Sequence, residues 1–327
     1  MFDLVVVSRD HLCACGHEVG AHDEMSSLDF GTVQEELDNV LISVSNRLER
    51  AWPSRAGNSD SQAVVLGLYR VAWVSFKTLR YFCAEIPVDA RRWPEFVTSA
   101  GPMGRSIADA LANIIYLFQD NLDRRALEFG RRGWLEDHRR ANQLAQRYAA
   151  NPAWAPYLAN LRAELSRIQG ELGIRGEEVK ALRRWPRLSD MISQNPNHRD
   201  RIADQNRREF LEYIEDFLYK EFSQDTHLSG PGLYRRAELL LTESRSWDER
   251  QRELCRRRRT DAVMGTLALM LALAAELELS LELEMAPRIV AVWLKLCRAS
   301  SFMTELMVRR HFAQFRTAGY IQDRSTA

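Results

Sequence analysis

Five polar residues, Arg105, Asp109, Asn113, Tyr116 and Asp120, recur at spacings of 4, 4, 3 and 4 among Ile107, Leu111, Ile114, Ile115, Leu117 and Phe118. At about 100° per residue, those spacings put all five on one narrow face of a helix that is apolar almost all round. Such a helix belongs in a core, where an unpaired ionised group costs several kcal/mol. Arg105 and Asp109 are therefore expected to pair there, with each other and with groups on a neighbouring helix. A second stripe is placed to answer them. Asp216, Tyr219, Lys220, Ser223 and His227 follow at spacings of 3, 1, 3 and 4, on a segment whose other side carries Phe210, Leu211, Ile214, Phe217 and Leu218. Two readings of the paired stripes stay open. In one they form a polar network that fixes helix register. In the other they form a catalytic or ligand site, where His227 moves a proton, Lys220 and Arg105 hold phosphate, and Asp109 orients a partner.

Cys13, Cys15, His17 and His22 place four zinc-ligand side chains within ten residues. A tetrahedral site from these four is conceivable, although cysteines at i and i+2 make it cramped. The other reading treats residues 1–24, which have no helical period, as a disordered N-terminal extension without a role in folding. His17-Glu18 with His22 is one residue longer than the zincin His-Glu-x-x-His, and five residues do not return to one helix face. Arg256 to Arg259 are four like charges in a row, fitting either a phosphate backbone or an exposed helix end. Glycine-rich phosphate loops, nucleophile elbows and kinase signatures are absent, and no cofactor is expected.

The elements that must position these residues are helices. Thr32-Val-Gln-Glu35 is a capping box opening an amphipathic segment to about Leu48, closed by Trp52-Pro53. A polar loop at Gly57 to Ser61 leads to a second helix ending near Ala84, before Pro87. The third, carrying the first stripe, is expected from about Pro102 to Phe129. Between Trp134 and Arg184 the pattern turns charged, with breaks at Asn151-Pro152 and Gly170 to Gly176, and predicts an insertion of shorter, exposed helices. The helix of the second stripe spans about Ile202 to His227 and stops at the Ser-Gly-Pro-Gly of 229–232. Three or four more helices follow, with a break near Pro287. Alternating β patterning is absent, so the fold class is all-α: one multi-helix domain over residues 25–327 with an inserted charged helical segment at 134–184.

Basic and acidic residues balance at 45 each, so no global field steers the chain toward nucleic acid or anionic lipid. Five scattered cysteines fit a reducing compartment, and the start of the chain has no basic leader. The longest charge-free apolar stretch, Ala262 to Ala275, is shorter than the ~20 residues of a bilayer span and reads as a buried helix. A cytoplasmic location without membrane association is the expectation.

Arg105-Ser-Ile-Ala-Asp109 on an apolar helix, Trp185-Pro-Arg-Leu-Ser189 before a loop, and Tyr219-Lys-Glu-Phe-Ser-Gln-Asp-Thr-His-Leu-Ser229 together resemble the bacterial domain-of-unknown-function family fifty-six seventy-seven, over about Phe30 to Arg245. In that family the first motif usually reads Arg, three residues, then Glu, so Asp109 is a departure. Tyr219, Ser223 and His227 match the Tyr, Ser and His of the third motif. The resemblance implies a helical fold and no established activity. A more distant similarity is to the HEPN superfamily of helical RNA-binding and RNA-cleaving domains, where an Arg is followed, after four to six intervening residues, by a His. Before His227 only Lys220 is a cation near that spacing, and an ammonium lacks the bidentate fork of guanidinium. Arg131 and Arg132 precede His138 at permitted spacings but fall in the charged insertion. The functional expectation is a non-catalytic helical interaction module in a bacterial stress, mobile-element or defence context, with protein or RNA as partner. The alternative is a HEPN-like, metal-independent RNase.

Overall fold

Apolar side chains at helical period, with caps at the breaks, make helices of most of the chain. The computed structural model describes residues 30–53, 56–83, 93–226, 237, 239–242 and 246–321. No strand occurs among them, and the fold is all-α. The Cys13, Cys15, His17 and His22 cluster and His227 lie outside the described residues.

Helix α1 (Phe30–Arg50) and α2 (Ser59–Cys83) precede α3 (Trp93–Leu117), which carries the first stripe. Then come α4 (Leu122–Arg147), α5 (Ala155–Glu171) and the single turn α6 (Leu188–Met191). Helix α7 (Gln205–Ile214) runs through a five-residue π segment, Glu215–Tyr219, into α8 (Lys220–Thr226). The last four are α9 (Glu249–Leu281), α10 (Ala286–Ala299), α11 (Ser301–Arg309) and α12 (His311–Thr317).

Helix α3 packs against α2, α8 and α9, and the apolar residues around it, from Ile107 to Leu117, all lie in the main core. Its crossing with α8 is close because Gly104 has no side chain. A Cβ there would stand 2.5 Å from the Phe222 ring. The same ring lies 3.2 Å from the Cβ position of Gly265 on α9, so one phenylalanine is seated between two glycines on different helices. Helix α9 is long and apolar enough to cross a bilayer by length and composition, yet 89% of its most apolar window is buried against the rest of the fold. Pro287 sits in the first turn of α10, where its missing N–H has no intrahelical partner to lose.

Two boundaries depart from the expectation. Helix α3 starts at Trp93 and carries Pro102 in its interior, because packing on three neighbours outweighs one lost backbone bond. It also ends at Leu117 rather than near Phe129. Asn121 opens α4 by accepting a bond from the Arg124 amide at 2.9 Å, a cap hidden inside an apparently continuous pattern.

The charged insertion is a helical hairpin. Helix α4 continues past Trp134 to Arg147 and returns as α5, around a small core of Trp134, Leu135, Ala141, Leu165 and Ile174 separate from the main one. Trp134 Nε1 donates to the Leu165 carbonyl at 2.8 Å and Arg131 Nε to that of Leu172 at 3.0 Å. The expected breaks hold. Asn151 accepts from the Ala153 amide at 3.1 Å and turns the chain at the tip. At the other end of α5, Gly173 adopts φ +59°, with Ile174 N–H on the Gln169 carbonyl and Gly173 N–H on that of Gly170, a Schellman closure.

Candidate functional site

The first stripe divides into two parts with different partners. At the N-terminal end of α3, Arg105 Nε stands 3.7 Å from Asp109 Oδ2, and the Arg105 guanidinium lies 5.4 Å from the centre of the Tyr219 ring. The Tyr219 hydroxyl faces the Asp109 carboxylate and contributes to holding it down. The three residues form one compact group between α3 and the π segment, as the complementary stripes predicted. They are not deep in the core: the Arg105 and Asp109 side chains are 29% and 46% exposed. Burial nonetheless raises the Asp109 carboxyl above its usual range, against the lowering effects of Arg105 and of the Tyr219 hydroxyl. Burial also raises the Tyr219 phenol, with the Asp109 charge adding to the shift.

The second stripe is exposed or half-buried along its described length. Lys220 is exposed and ion-paired to Asp216 on its own helix. Ser223 is partly buried and bonds none of the other candidates among the described residues. The π segment, with its wider i→i+5 winding, shifts the phase between α7 and α8 by about one residue, and so between the apolar side at Phe210 to Ile214 and the stripe. Spacing counted at 3.6 residues per turn cannot register that shift.

Further along α3 the stripe meets a network that the sequence did not announce. Trp185 Nε1 donates to Asn113 Oδ1 at 2.7 Å, and the Trp185 ring meets Tyr116 and Phe129 edge-on at 5.2 and 4.8 Å. The Tyr116 hydroxyl donates to Asp200 at 3.1 Å and accepts from Arg125 at 3.0 Å. Buried Arg132 bonds the Arg184 carbonyl and approaches Asp200 and Glu128 at 3.5 and 3.7 Å. Arg131 and Arg132 thus have structural partners, and the His138 ring stacks on Trp134. Asp120, at the end of the stripe, is exposed and pairs with Arg124.

The most deeply buried charges lie elsewhere. Glu276 on α9, Arg310 and His311 are 1%, 2% and 0% exposed. Arg310 Nη2 donates to Glu276 Oε2 at 2.9 Å and Nη1 to Asn206 Oδ1 at 2.6 Å, while His311 Nε2 lies 3.0 Å from Glu276 Oε1. Trp293 stacks on the imidazole and Phe210 meets it edge-on. Burial by itself would raise the Glu276 carboxyl, but the bonds from His311 and Arg310 hold it down at about 2. Burial lowers the His311 imidazole. A neutral ring then donates from Nε2 to the carboxylate, and its Nδ1 has no hydrogen-bond partner. The available sequence signal was Glu276 itself, a carboxylate at the end of a helix segment apolar on every face.

In the arginine run on α9, Arg256 and Arg257 are exposed and Arg258 and Arg259 half-buried; Arg256 pairs with Glu249 and Glu253 and Arg257 with Glu253. Among the described residues no group of three or more His, Cys, Asp or Glu side chains is placed to hold a metal ion. No protein-family model, curated protein or solved structure matches the chain.

Proposed function

We propose that the chain is a non-catalytic helical interaction module. The observation that carries this reading is the α4–α5 hairpin, which has its own small core, separate from the main one, and an outer surface that mixes polar and small residues with an exposed Tyr157 at its tip. Stability of the main core alone does not call for such an arm, whereas a partner-binding surface does. The Arg105–Asp109–Tyr219 group supports the same reading, since its cation, carboxylate and hydroxyl are engaged with one another. A bacterial stress, mobile-element or defence setting is part of this proposal.

The competing reading is a metal-independent RNase using His227, Lys220, Arg105 and Asp109. Its phosphate grip is weakened because the Lys220 ammonium is tied to Asp216 and the Arg105 guanidinium to Asp109 and Tyr219. The test is incubation of the full chain with a mixed RNA pool in chelator, beside His227→Ala and Lys220→Arg. Intact RNA in all three supports the interaction module. Cleavage that His227→Ala abolishes and Lys220→Arg preserves establishes the RNase instead.

A further inference from the structure

The tip of the α4–α5 hairpin brings together two features, arginines without acidic partners and accessible aromatic rings. From His138 to Ala163 the chain has four arginines, Arg139, Arg140, Arg147 and Arg162, and no Asp or Glu, in a protein whose overall charge is zero. All four are exposed, and none forms an ion pair among the described residues. Further along α5 the pattern reverts, and Arg167 is held by Glu164 and Glu171. The tip is therefore a local cationic end on a neutral molecule.

The same tip carries aromatic rings. Tyr148 and Trp154 stack in parallel, 4.1 Å apart at 5°, and Tyr157 meets Trp154 at 87° with half its surface exposed. The turn that brings them together is set by Asn151 and the short 3-10 segment Pro152–Trp154. Beside them Arg140, Gln143, Leu144, Gln146 and Arg147 line an open groove on α4. Leu144 and Tyr148 are one helical turn apart, so the groove and the rings share a face. Cations, amide side chains and accessible rings on one face are the set that a polyanion with exposed flat bases would use. A duplex hides its base faces and would leave the rings idle; an acidic polypeptide would use the arginines alone.

We propose that the hairpin tip is a docking site for single-stranded nucleic acid, with Arg140 and Arg147 on the backbone and the Tyr148, Trp154 and Tyr157 rings against the bases. This deepens the interaction-module reading and rests on it. The test uses the full chain with fluorescent twelve-nucleotide single-stranded RNA and DNA, a duplex of the same sequence, and poly-glutamate as competitor. Anisotropy is read across a salt series, and the RNA is checked for integrity by gel. Expected are binding of single strands over duplex, a loss on the order of tenfold in Trp154→Ala or Tyr157→Ala, and a salt slope reduced by about 1.4 in the Arg140→Gln, Arg147→Gln double variant. Tyr157 and the two arginines are exposed, so those variants keep the test informative should Trp154→Ala perturb the turn. The proposal is overturned if the wild type binds no single strand at low salt, if these variants bind equally well, or if poly-glutamate or the duplex competes as effectively as the single strand. RNA that is bound and cleaved would instead sink the interaction-module reading, whatever the tip variants do.

Discussion

Arg310 reaches back 34 positions along the chain to close a two-pronged ion pair on Glu276, with neither side chain more than 2% exposed. Two charges removed from water repay their desolvation only through each other and their remaining hydrogen bonds, here those to His311 and Asn206. Replacing one partner strands the other. Glu276→Gln should lower unfolding free energy by ~3 kcal/mol or more in urea denaturation. The double replacement Glu276→Leu with Arg310→Met should cost less than that single change. A double variant losing as much as the sum of the Glu276→Leu and Arg310→Met single variants would show that the pair is not acting as a unit.

The same triad makes the fold acid-labile in a defined direction. Glu276 is held at about 2 when folded, and His311 is held below the usual imidazole value. Both groups therefore bind more protons in the unfolded chain than in the folded one once the pH falls below their ordinary values. The contribution of these two groups to stability should be flat above about pH 7, fall as His311 is called on to protonate, and fall again through the carboxylate range toward pH 2. His311→Gln should remove the upper limb and leave the lower one. An upper limb that persists in that variant would assign it to another group.

Phe222 seated against Gly104 makes the crossing of α3 and α8 intolerant of a methyl group. The ring cannot retreat freely, because its far side meets Gly265 on α9 at 3.2 Å from that residue's Cβ position. Gly104→Ala should gain helix propensity of ~1 kcal/mol and still destabilise by ~1–3 kcal/mol, since overpacking outweighs propensity. Phe222→Leu in the Gly104→Ala background should recover part of the loss. Thermal melts of the two single variants and the double variant check this.

Legibility of the sequence followed the range of the interactions. The ends of α2, the break at Asn151-Pro152 and the start of α10 at Pro287 were readable because each is set by residues within a turn of it. The split at Asn121 was missed because its cap lies inside a pattern that the apolar period alone carries straight through. Arg105, Asp109 and Tyr219 were found because a polar stripe on an apolar helix demands an answer. Their depth was misjudged, since periodicity tells which face a residue is on and not how far a neighbour covers it. The Trp185–Asn113 and Arg310–Glu276 contacts depend on chain returns of 72 and 34 residues, so the local pattern marks Asn113 and Glu276 as groups needing partners without saying which partners they find.

Partial exposure changes what the Arg105 group should do on mutation. Were the pair fully buried, as the stripe alone suggested, Arg105→Ala would strand a carboxylate at a cost of ~3 kcal/mol. With Arg105 29% and Asp109 46% exposed and 3.7 Å apart, water takes over much of the solvation, and the loss should stay under ~1 kcal/mol. The clearer readout is the carboxyl itself. Burial already raises Asp109, while Arg105 and the Tyr219 hydroxyl oppose the rise. Arg105→Ala and Tyr219→Phe should each move the Asp109 titration further up, followed by carboxyl-carbon NMR. Because Arg105 also sits over the Tyr219 ring, the two shifts should be less than additive in the double variant. Independent shifts, or a downward one in either variant, would mean that the three residues are neighbours without being a coupled group.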